Sequence, residues 1–251
     1  MLKRFLPKEK HILHITQKFS HFLISMLLKT FFTCKVNSLD NYKRKSYDRP
    51  LVVVANHVSL FDSFILVSSL SVFFFFRVGL WKAPAYHTFF KSFLFKIFLL
   101  GLGAFPIKRE EKLEKSLQGT LDALDKGYNL IFFPEGKRVI HGEKAKPGRG
   151  IGYLLKEKKV YVLPVHIRYS VRGKNGFGAR PGRVWVNVGK VMKSEYFVEN
   201  FSDENRHEEV FRQIHSLSDL KPERKSWNYR VEELRDWINK FLFSKKEIIK
   251  K

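Results

Sequence analysis

The sequence predicts an α/β fold in which a largely parallel central sheet is flanked by helices, with helical extensions at both ends. Apolar runs of strand-like composition alternate with helix-like segments between residues 47 and 193, a pattern typical of such sheets. The length of 251 residues suits one domain of this kind with additions. Reactive polar residues follow the apolar run 51–55, at a strand end where open α/β sheets hold ligands.

The candidate elements follow one another along the central segment. Strands are predicted at 51–55, 73–80, 104–107, 129–133, 160–167 and 183–189, and helices at 60–70, 87–101, 111–126 and 148–157. The helix at 111–126 has the clearest pattern, since four leucines at helical spacing form an apolar stripe and Gly127 is a typical helix stop.

The two ends of the chain have different compositions. Residues 1–46 are basic and apolar, with an apolar core at 19–28 flanked by Lys18 and Lys29. No uninterrupted run of 18 apolar residues occurs, so the pattern favours an amphipathic helix lying in a membrane interface over one that crosses it. A helix packed on the central domain remains the alternative. Residues 194–251 are predicted to be C-terminal helical cladding, with apolar positions at helical spacing in 203–217 and 226–243.

The charge balance predicts an anionic partner. Lysine and arginine number 47 against 24 acidic residues, which gives a formal charge of +23, and such an excess attracts anions over long range. The sequence also contains 25 phenylalanines, and the stretch 89–100 has few polar positions, as expected of a surface facing lipid. No nucleic-acid-binding signature is present, so an anionic membrane surface is favoured over nucleic acid.

The single cysteine, Cys34, excludes an intrachain disulfide. The histidines at 11, 14 and 21 lack acidic or cysteine neighbours, so a metal site is not expected. No nucleotide or flavin motif occurs, and no cofactor is predicted.

The chemistry is concentrated where the strand 51–55 ends. His57 follows this run, and Asp62 comes five residues later. Histidine is the side chain most easily used as a base near neutral pH, and a carboxylate on its second nitrogen would fix its tautomer. On a continuous helix the two side chains would diverge by about 140°, so they meet only if the chain turns a strand-to-helix corner.

The same residues have a structural alternative. Ser59 and Asp62 have the spacing of a capping box, in which the carboxylate satisfies amides at a helix start. The local sequence leaves both interpretations open, and Asp62 could serve both purposes.

Four blocks of the chain resemble the glycerolipid acyltransferases, whose best-known members are the 1-acyl-glycerol-3-phosphate acyltransferases. Asn56, His57 and Asp62 match the NHxxxxD block. Residues 103–109 resemble the second block, 133–138 the third (usually FPEGTR) and 162–167 the fourth, a short apolar strand around a proline. One block is a weak signal, but four in the family's order are specific.

The resemblance implies roles for individual residues. His57 would be the base and Asp62 its orienting partner; Asn56, Glu135, Gly136 and Pro164 would shape the site. The acceptor's phosphate would be bound by residues of the second and third blocks, namely Arg109, Arg138, Lys137 and Lys108. Lys108 stands where the family usually has Asp, and Lys137 where it usually has Thr or Ser, which adds positive charge.

The implied function is transfer of a fatty acyl group from acyl-CoA or acyl-carrier protein to a lysophospholipid, with 1-acyl-glycerol-3-phosphate as the leading acceptor. The enzyme would sit on the cytoplasmic face of a membrane as a peripheral or monotopic protein. The phenylalanine-rich segments and Val162–Ile167 are candidates for the acyl groove. The alternatives are a different lipid alcohol as acceptor, motivated by the two lysines, and a non-catalytic basic membrane-binding protein.

Overall fold

The computed structural model describes residues 8–37, 47–69, 79–108, 111–139, 143–170 and 182–220. The helices are α1 (Lys8–Phe31), α2 (Asp62–Ser69), α3 (Phe93–Gly101), α4 (Leu113–Asp125), α5 (Gly150–Glu157), α6 (Ser194–Asn200) and α7 (Arg206–His215), with a 3₁₀ turn at His87–Phe90. The strands are β1 (Phe32–Asn37), β2 (Leu51–Ala55), β3 (Trp81–Tyr86), β4 (Ala104–Ile107), β5 (Asn129–Phe132), β6 (Tyr161–Tyr169), β7 (Gly182–Val188) and β8 (Met192–Lys193).

In the described part of the chain, the strands form one sheet in the order β1-β7-β6-β2-β5-β3-β4, with β8 paired to β6. Strands β6, β2, β5, β3 and β4 are mutually parallel, while β7 and β8 run antiparallel to β6. The predicted α/β class with a largely parallel sheet is confirmed. The carboxyl ends of the parallel strands face the same edge, so residues that follow them converge there.

Strand β2 lies at the centre and is buried on both faces. Leu51, Val53 and Ala55 belong to one apolar cluster, which includes residues of α1 and α2. Val52 and Val54 belong to the other, with α4, α5 and α7. Because alternate side chains of a strand point to opposite faces, a continuous β-branched run is what this position requires.

Several predicted elements match closely, and others differ. Strand β3 was not predicted, because Ala83, Pro84 and Ala85 have weak strand propensity. The predicted helix 87–101 is divided into the 3₁₀ turn and α3, and their boundary falls at Lys91 and Ser92. Most of the predicted strand 73–80 and all of the predicted helix 226–243 lie outside the described residues.

The N-terminal segment contributes to the sheet. Strand β1 pairs in parallel with β7, from Phe32 opposite Gly182 to Asn37 opposite Asn187. The sheet therefore includes a strand from the segment 1–46, which was predicted to be an N-terminal extension outside the α/β domain. The signal was present in the alternation of apolar Phe32, Cys34 and Val36 with polar neighbours, which favours a strand over a continuing helix.

Helix α1 buries two polar side chains as well as Leu28, and it exposes several large apolar ones. Gln17 and Ser25 are buried, and Ser25 bonds to Ser68 of α2 over 3.1 Å. Large apolar side chains are exposed on α1 at Ile15, Phe19, Phe22, Leu23, Met26 and Leu27, and on α3 at Phe93, Leu94, Phe95, Ile97, Phe98 and Leu100. The two helices contact each other, and their exposed apolar side chains are together named here the α1–α3 face. No described helix has both the length and the apolar character needed to cross a membrane.

Candidate active site

His57 and Asp62 meet at the corner between β2 and α2. The Nδ1 atom of His57 lies 2.8 Å from Asp62 Oδ2, with Asp62 fully buried and His57 17% exposed. The chain makes the required bend because β2 ends at Ala55 and α2 begins only at Asp62. An ionised carboxylate only accepts hydrogen bonds, so Nδ1 carries the hydrogen and Nε2 keeps its lone pair for a substrate proton.

Asp62 also caps the start of α2. Its Oδ2 atom accepts hydrogen bonds from the backbone amides of Val58 at 2.7 Å and Ser59 at 2.8 Å. The Ser59 hydroxyl accepts in turn from the amide of Phe61. The same carboxylate therefore makes both sets of contacts at once, and the capping contacts fix the carboxylate that contacts the imidazole.

The loop after β5 holds His57 from the other side. The His57 amide donates to Glu135 Oε1 over 3.1 Å, and its carbonyl accepts from the amide of Val139 over 2.7 Å. The imidazole stacks on the Phe133 ring, with centroids 4.2 Å apart and planes 17° from parallel. Gly136 has φ = +65°, a left-handed conformation that glycine adopts without strain.

Glu135 has the most perturbed carboxyl group near the pair. Its Oε2 atom is buried without a hydrogen-bond partner. Burial raises the pKa of Glu135 to about 7, with a smaller contribution from the charge of Asp62. The resemblance placed this residue at the site, and the structure shows it bound to the backbone of His57.

Asn56 directly follows β2, and Pro164 lies within β6. The Asn56 side chain donates to the carbonyl of Ile167 at 2.9 Å and accepts from its amide at 2.7 Å. Asn56 therefore joins the end of β2 to β6. Pro164 is buried, and its carbonyl accepts from the amide of Gly189.

A cavity of about 690 Å³ opens beside His57. Its walls come from α2, β3, α3, the start of α4 and the end of β5, and they are mostly apolar, with Phe64, Val67, Trp81, Phe89, Phe95 and Leu99 among them. Part of the phenylalanine-rich sequence thus lines the cavity as predicted. Val162–Ile167 does not, since these residues are buried in the sheet.

The four predicted phosphate ligands have different positions. Lys137 lines the cavity. Arg138 is described but does not line it. Lys108 is 61% exposed, does not line the cavity, and pairs with the lining residue Glu111 at 3.8 Å. Arg109 lies outside the described residues.

The prediction missed three residues at this site. Arg149 lines the cavity just before α5, although no binding role was predicted for it. Phe133, which stacks on His57, lies in the third block without a predicted role. Tyr169 at the end of β6 bonds to Asp62 over 2.8 Å, and no local pattern indicates this contact. Within the described residues, no cluster of three or more histidine, cysteine or acidic side chains could hold a metal ion.

Comparisons with known proteins identify the family of this chain. A family model described as acyltransferase matches residues 33–168. The chain is 28% identical over 160 residues to the chloroplastic 1-acyl-sn-glycerol-3-phosphate acyltransferase LPAT1 of Arabidopsis thaliana, a match that covers 59% of this chain and 41% of the plant protein. It is 26% identical over 160 residues to the chloroplastic 1-acyl-sn-glycerol-3-phosphate acyltransferase BAT2 of Brassica napus, covering 59% and 42%. The matched region spans about two fifths of these relatives.

Among solved structures, the fold is similar to the crystal structure of the 1-acyl-sn-glycerophosphate acyltransferase PlsC from Thermotoga maritima. The TM-score is 0.59 at 22% identity, and the match covers 87% of each chain. At this identity the likeness concerns the fold alone.

Proposed function

Since the chain belongs to the acyltransferase family, as its four blocks predicted, we propose that it transfers a fatty acyl group from an acyl thioester to the hydroxyl of a lysophospholipid, with 1-acyl-glycerol-3-phosphate as the acceptor. The observation that carries this proposal is the His57–Asp62 pair, 2.8 Å apart, beside a large apolar cavity. The base would act on the hydroxyl, and the cavity would hold an acyl chain.

The reaction needs one base and no covalent acyl-enzyme. His57 Nε2 takes the proton of the acceptor hydroxyl as the oxygen attacks the thioester carbonyl carbon. A carbon–oxygen bond forms, and the carbon–sulfur bond breaks when the tetrahedral intermediate collapses. The departing thiolate takes the proton back from His57. Asp62 keeps the imidazole in the required tautomer and stabilises the imidazolium formed between these steps.

The acceptor's phosphate is assigned to the basic side of the cavity. Lys137 and Arg149 line it, and arginine and lysine are the residues that bind phosphate most readily. Arg109 and Arg138 are included because the family resemblance assigns them this role. The alternative of a different lipid alcohol now depends on Lys137, because Lys137 lines the cavity and Lys108 does not.

Membrane association is the second part of the proposal. The α1–α3 face exposes large apolar side chains, among them Phe93 at 74% and Leu94 at 78%. An exposed apolar surface of this kind is typical of binding to a partner or a membrane. The charge of +23 would add attraction to anionic headgroups, about 1 kcal/mol for each basic residue near the surface. The enzyme would act as a peripheral protein on the cytoplasmic face.

The test is a transfer assay with purified protein. Lysophosphatidate and a series of acyl-CoA and acyl-carrier-protein donors are supplied, thiol release is followed with a dye, and the lipid product is identified by mass spectrometry. The wild type should release thiol and form phosphatidate. His57→Ala should reduce turnover by about 10²–10⁴-fold and bind vesicles as the wild type does. A wild-type protein that binds vesicles without releasing thiol would instead establish the non-catalytic alternative.

A further inference from the structure

Tyr169 provides a second anchor for the carboxylate of Asp62. Its hydroxyl donates to Asp62 Oδ1 over 2.8 Å, whereas His57, Val58 and Ser59 all bond to Oδ2. The two oxygens thus have separate partners. The three partners of Oδ2 belong to the corner that holds the base. The partner of Oδ1, Tyr169, belongs to a strand more than a hundred residues later.

A buried carboxylate depends on such donors. Asp62 is fully buried, and within the described residues its ion pair is with His57 alone. An ionised group removed from water is stable only when hydrogen bonds replace its hydration. Without Tyr169, Oδ1 would have no such bond among the described residues, and the carboxylate could rotate about its Cβ–Cγ bond.

Packing fixes the direction of the Tyr169 hydroxyl. The residue is 6% exposed and pairs with Val184 of β7. Its ring meets Phe32 of β1 edge-on, with centroids 6.0 Å apart, and Phe32 also contacts Phe61 at 5.4 Å. Burial and the neighbouring charge of Asp62 hold the pKa of Tyr169 well above its usual value, so the phenol keeps its hydrogen and remains a donor.

We propose that Tyr169 is a positioning residue for the acyl transfer proposed above: its hydroxyl pins Asp62 Oδ1 so that Oδ2 stays aligned with His57 Nδ1. The effect depends on that proposed function. It matters most when the imidazole becomes charged, because the carboxylate must then face it without reorganising. Tyr169 does not line the cavity, so it acts on the rate through Asp62 and not on substrate binding.

The test compares two tyrosines of the same strand. Tyr169→Phe removes only the hydroxyl that bonds to Asp62. Tyr161→Phe is the matched control, because Tyr161 also lies on β6 and also donates to an aspartate, Asp48, over 2.8 Å. The aspartate paired with His57 is Asp62 and not Asp48. We expect Tyr169→Phe to lower kcat on the order of tenfold, the effect of one lost bond to a charged group, with KM for both substrates unchanged. Tyr161→Phe should retain full kcat.

A double-mutant cycle separates positioning from general damage to the core. In the Asp62→Ala background, Tyr169→Phe should cause no further loss of kcat, because residues that act as a unit are not additive. Unchanged kcat in Tyr169→Phe, a loss confined to KM, or a full additional loss in the double variant would each overturn the proposal. A wild type without transfer activity would instead refute the proposed function itself.

A second variant covers the case in which Tyr169→Phe fails to fold. Incorporation of 3-fluorotyrosine at position 169 preserves the ring and makes its hydroxyl a stronger donor. The stronger bond draws charge away from Asp62, so kcat should fall severalfold, while the same replacement at position 161 should not change it. Equal kcat for the two fluorinated proteins would contradict the inference.

Discussion

The side-chain amide of Gln17 bonds to both backbone groups of Trp81. Its Nε2 donates to the Trp81 carbonyl at 2.6 Å, and its Oε1 accepts from the Trp81 amide at 3.3 Å. Strand β4 begins to pair with β3 only at Ala83, so Gln17 takes the place of a strand neighbour two residues earlier, at Trp81. Because Trp81 lines the cavity, this contact ties α1 to the cavity wall.

Gly103 leaves room for that contact, and we expect its replacement to be costly. A Cβ atom at Gly103 would lie 2.2 Å from Gln17 Nε2 and 2.3 Å from the Trp81 carbonyl oxygen, and φ is +86°. Gly103→Ala combines backbone strain with a steric clash, so it should lower the free energy of unfolding by about 3 kcal/mol. Urea unfolding followed by tryptophan fluorescence measures the change.

Gly127 is the matched control for this substitution. It has φ = +77°, but a Cβ atom there would meet nothing within 4 Å. Gly127→Ala should therefore show only the left-handed backbone cost of about 1 kcal/mol. Equal losses in the two variants would mean that the contact between Gln17 and Trp81 does not restrict this position.

Glu135 should make stability depend on pH. The folded chain holds its proton with a pKa of about 7, raised from 4.5 by burial. Between these values the unfolded chain binds fewer protons than the folded one, so the contribution of this group to the free energy of unfolding falls as pH rises, by about 3 kcal/mol in total. Glu135→Gln cannot ionise and keeps an acceptor for the amide of His57. The free energy of unfolding of Glu135→Gln, relative to that of the wild type, should therefore rise by about 3 kcal/mol from pH 4 to pH 8.

Chemical denaturation at several pH values measures this difference. The exposed Glu199 on α6 supplies the control, since Glu199→Gln should show a much smaller change relative to the wild type. A difference between Glu135→Gln and the wild type that stays constant across the pH range would show that the buried carboxyl does not hold its proton more tightly in the folded chain.

The two lysines that depart from the family pattern should behave differently. Lys137 lines the cavity, whereas Lys108 is exposed beside Glu111. If Lys137 binds the acceptor's phosphate, Lys137→Ala should raise KM for lysophosphatidate about tenfold, as expected for one lost bond to a charged group. Lys108→Ala should leave it within twofold.

A monoacylglycerol acceptor, which has no phosphate, tests the assignment directly. Steady-state kinetics with this acceptor should show no effect of Lys137→Ala, since the lost contact does not exist. The same penalty with both acceptors would place Lys137 against the acyl donor instead.

Features encoded by neighbouring residues could be predicted from the sequence, and features that need distant strands could not. Strand β2 was located because a β-branched apolar run by itself indicates a buried strand. The corner with His57 and Asp62 was located because both residues lie within one short motif. Tyr169 could not be found, because its contact with Asp62 exists only after β6 has paired beside β2.

The basic residues illustrate a second limit of sequence reasoning. Lys108 and Lys137 both lie beside arginines in family blocks, yet Lys137 alone lines the cavity. The sequence indicates the strand end that a residue follows. The direction in which its side chain points depends on the turn that the backbone makes there. Lys108 is instead 61% exposed to solvent and lies beside Glu111, a residue that lines the cavity.

The α1–α3 face should bind anionic vesicles through its apolar side chains. Phe93 and Leu94 are 74% and 78% exposed on α3, and burying each in lipid should contribute about 1.5–3 kcal/mol. The double variant Phe93→Glu and Leu94→Glu should therefore weaken vesicle binding by at least about 100-fold in cosedimentation. Val198→Glu is the control, since Val198 is an exposed apolar residue on α6, a helix that packs beside α5 and α7. Equal binding by the double variant and the wild type would show that this face does not contact the membrane.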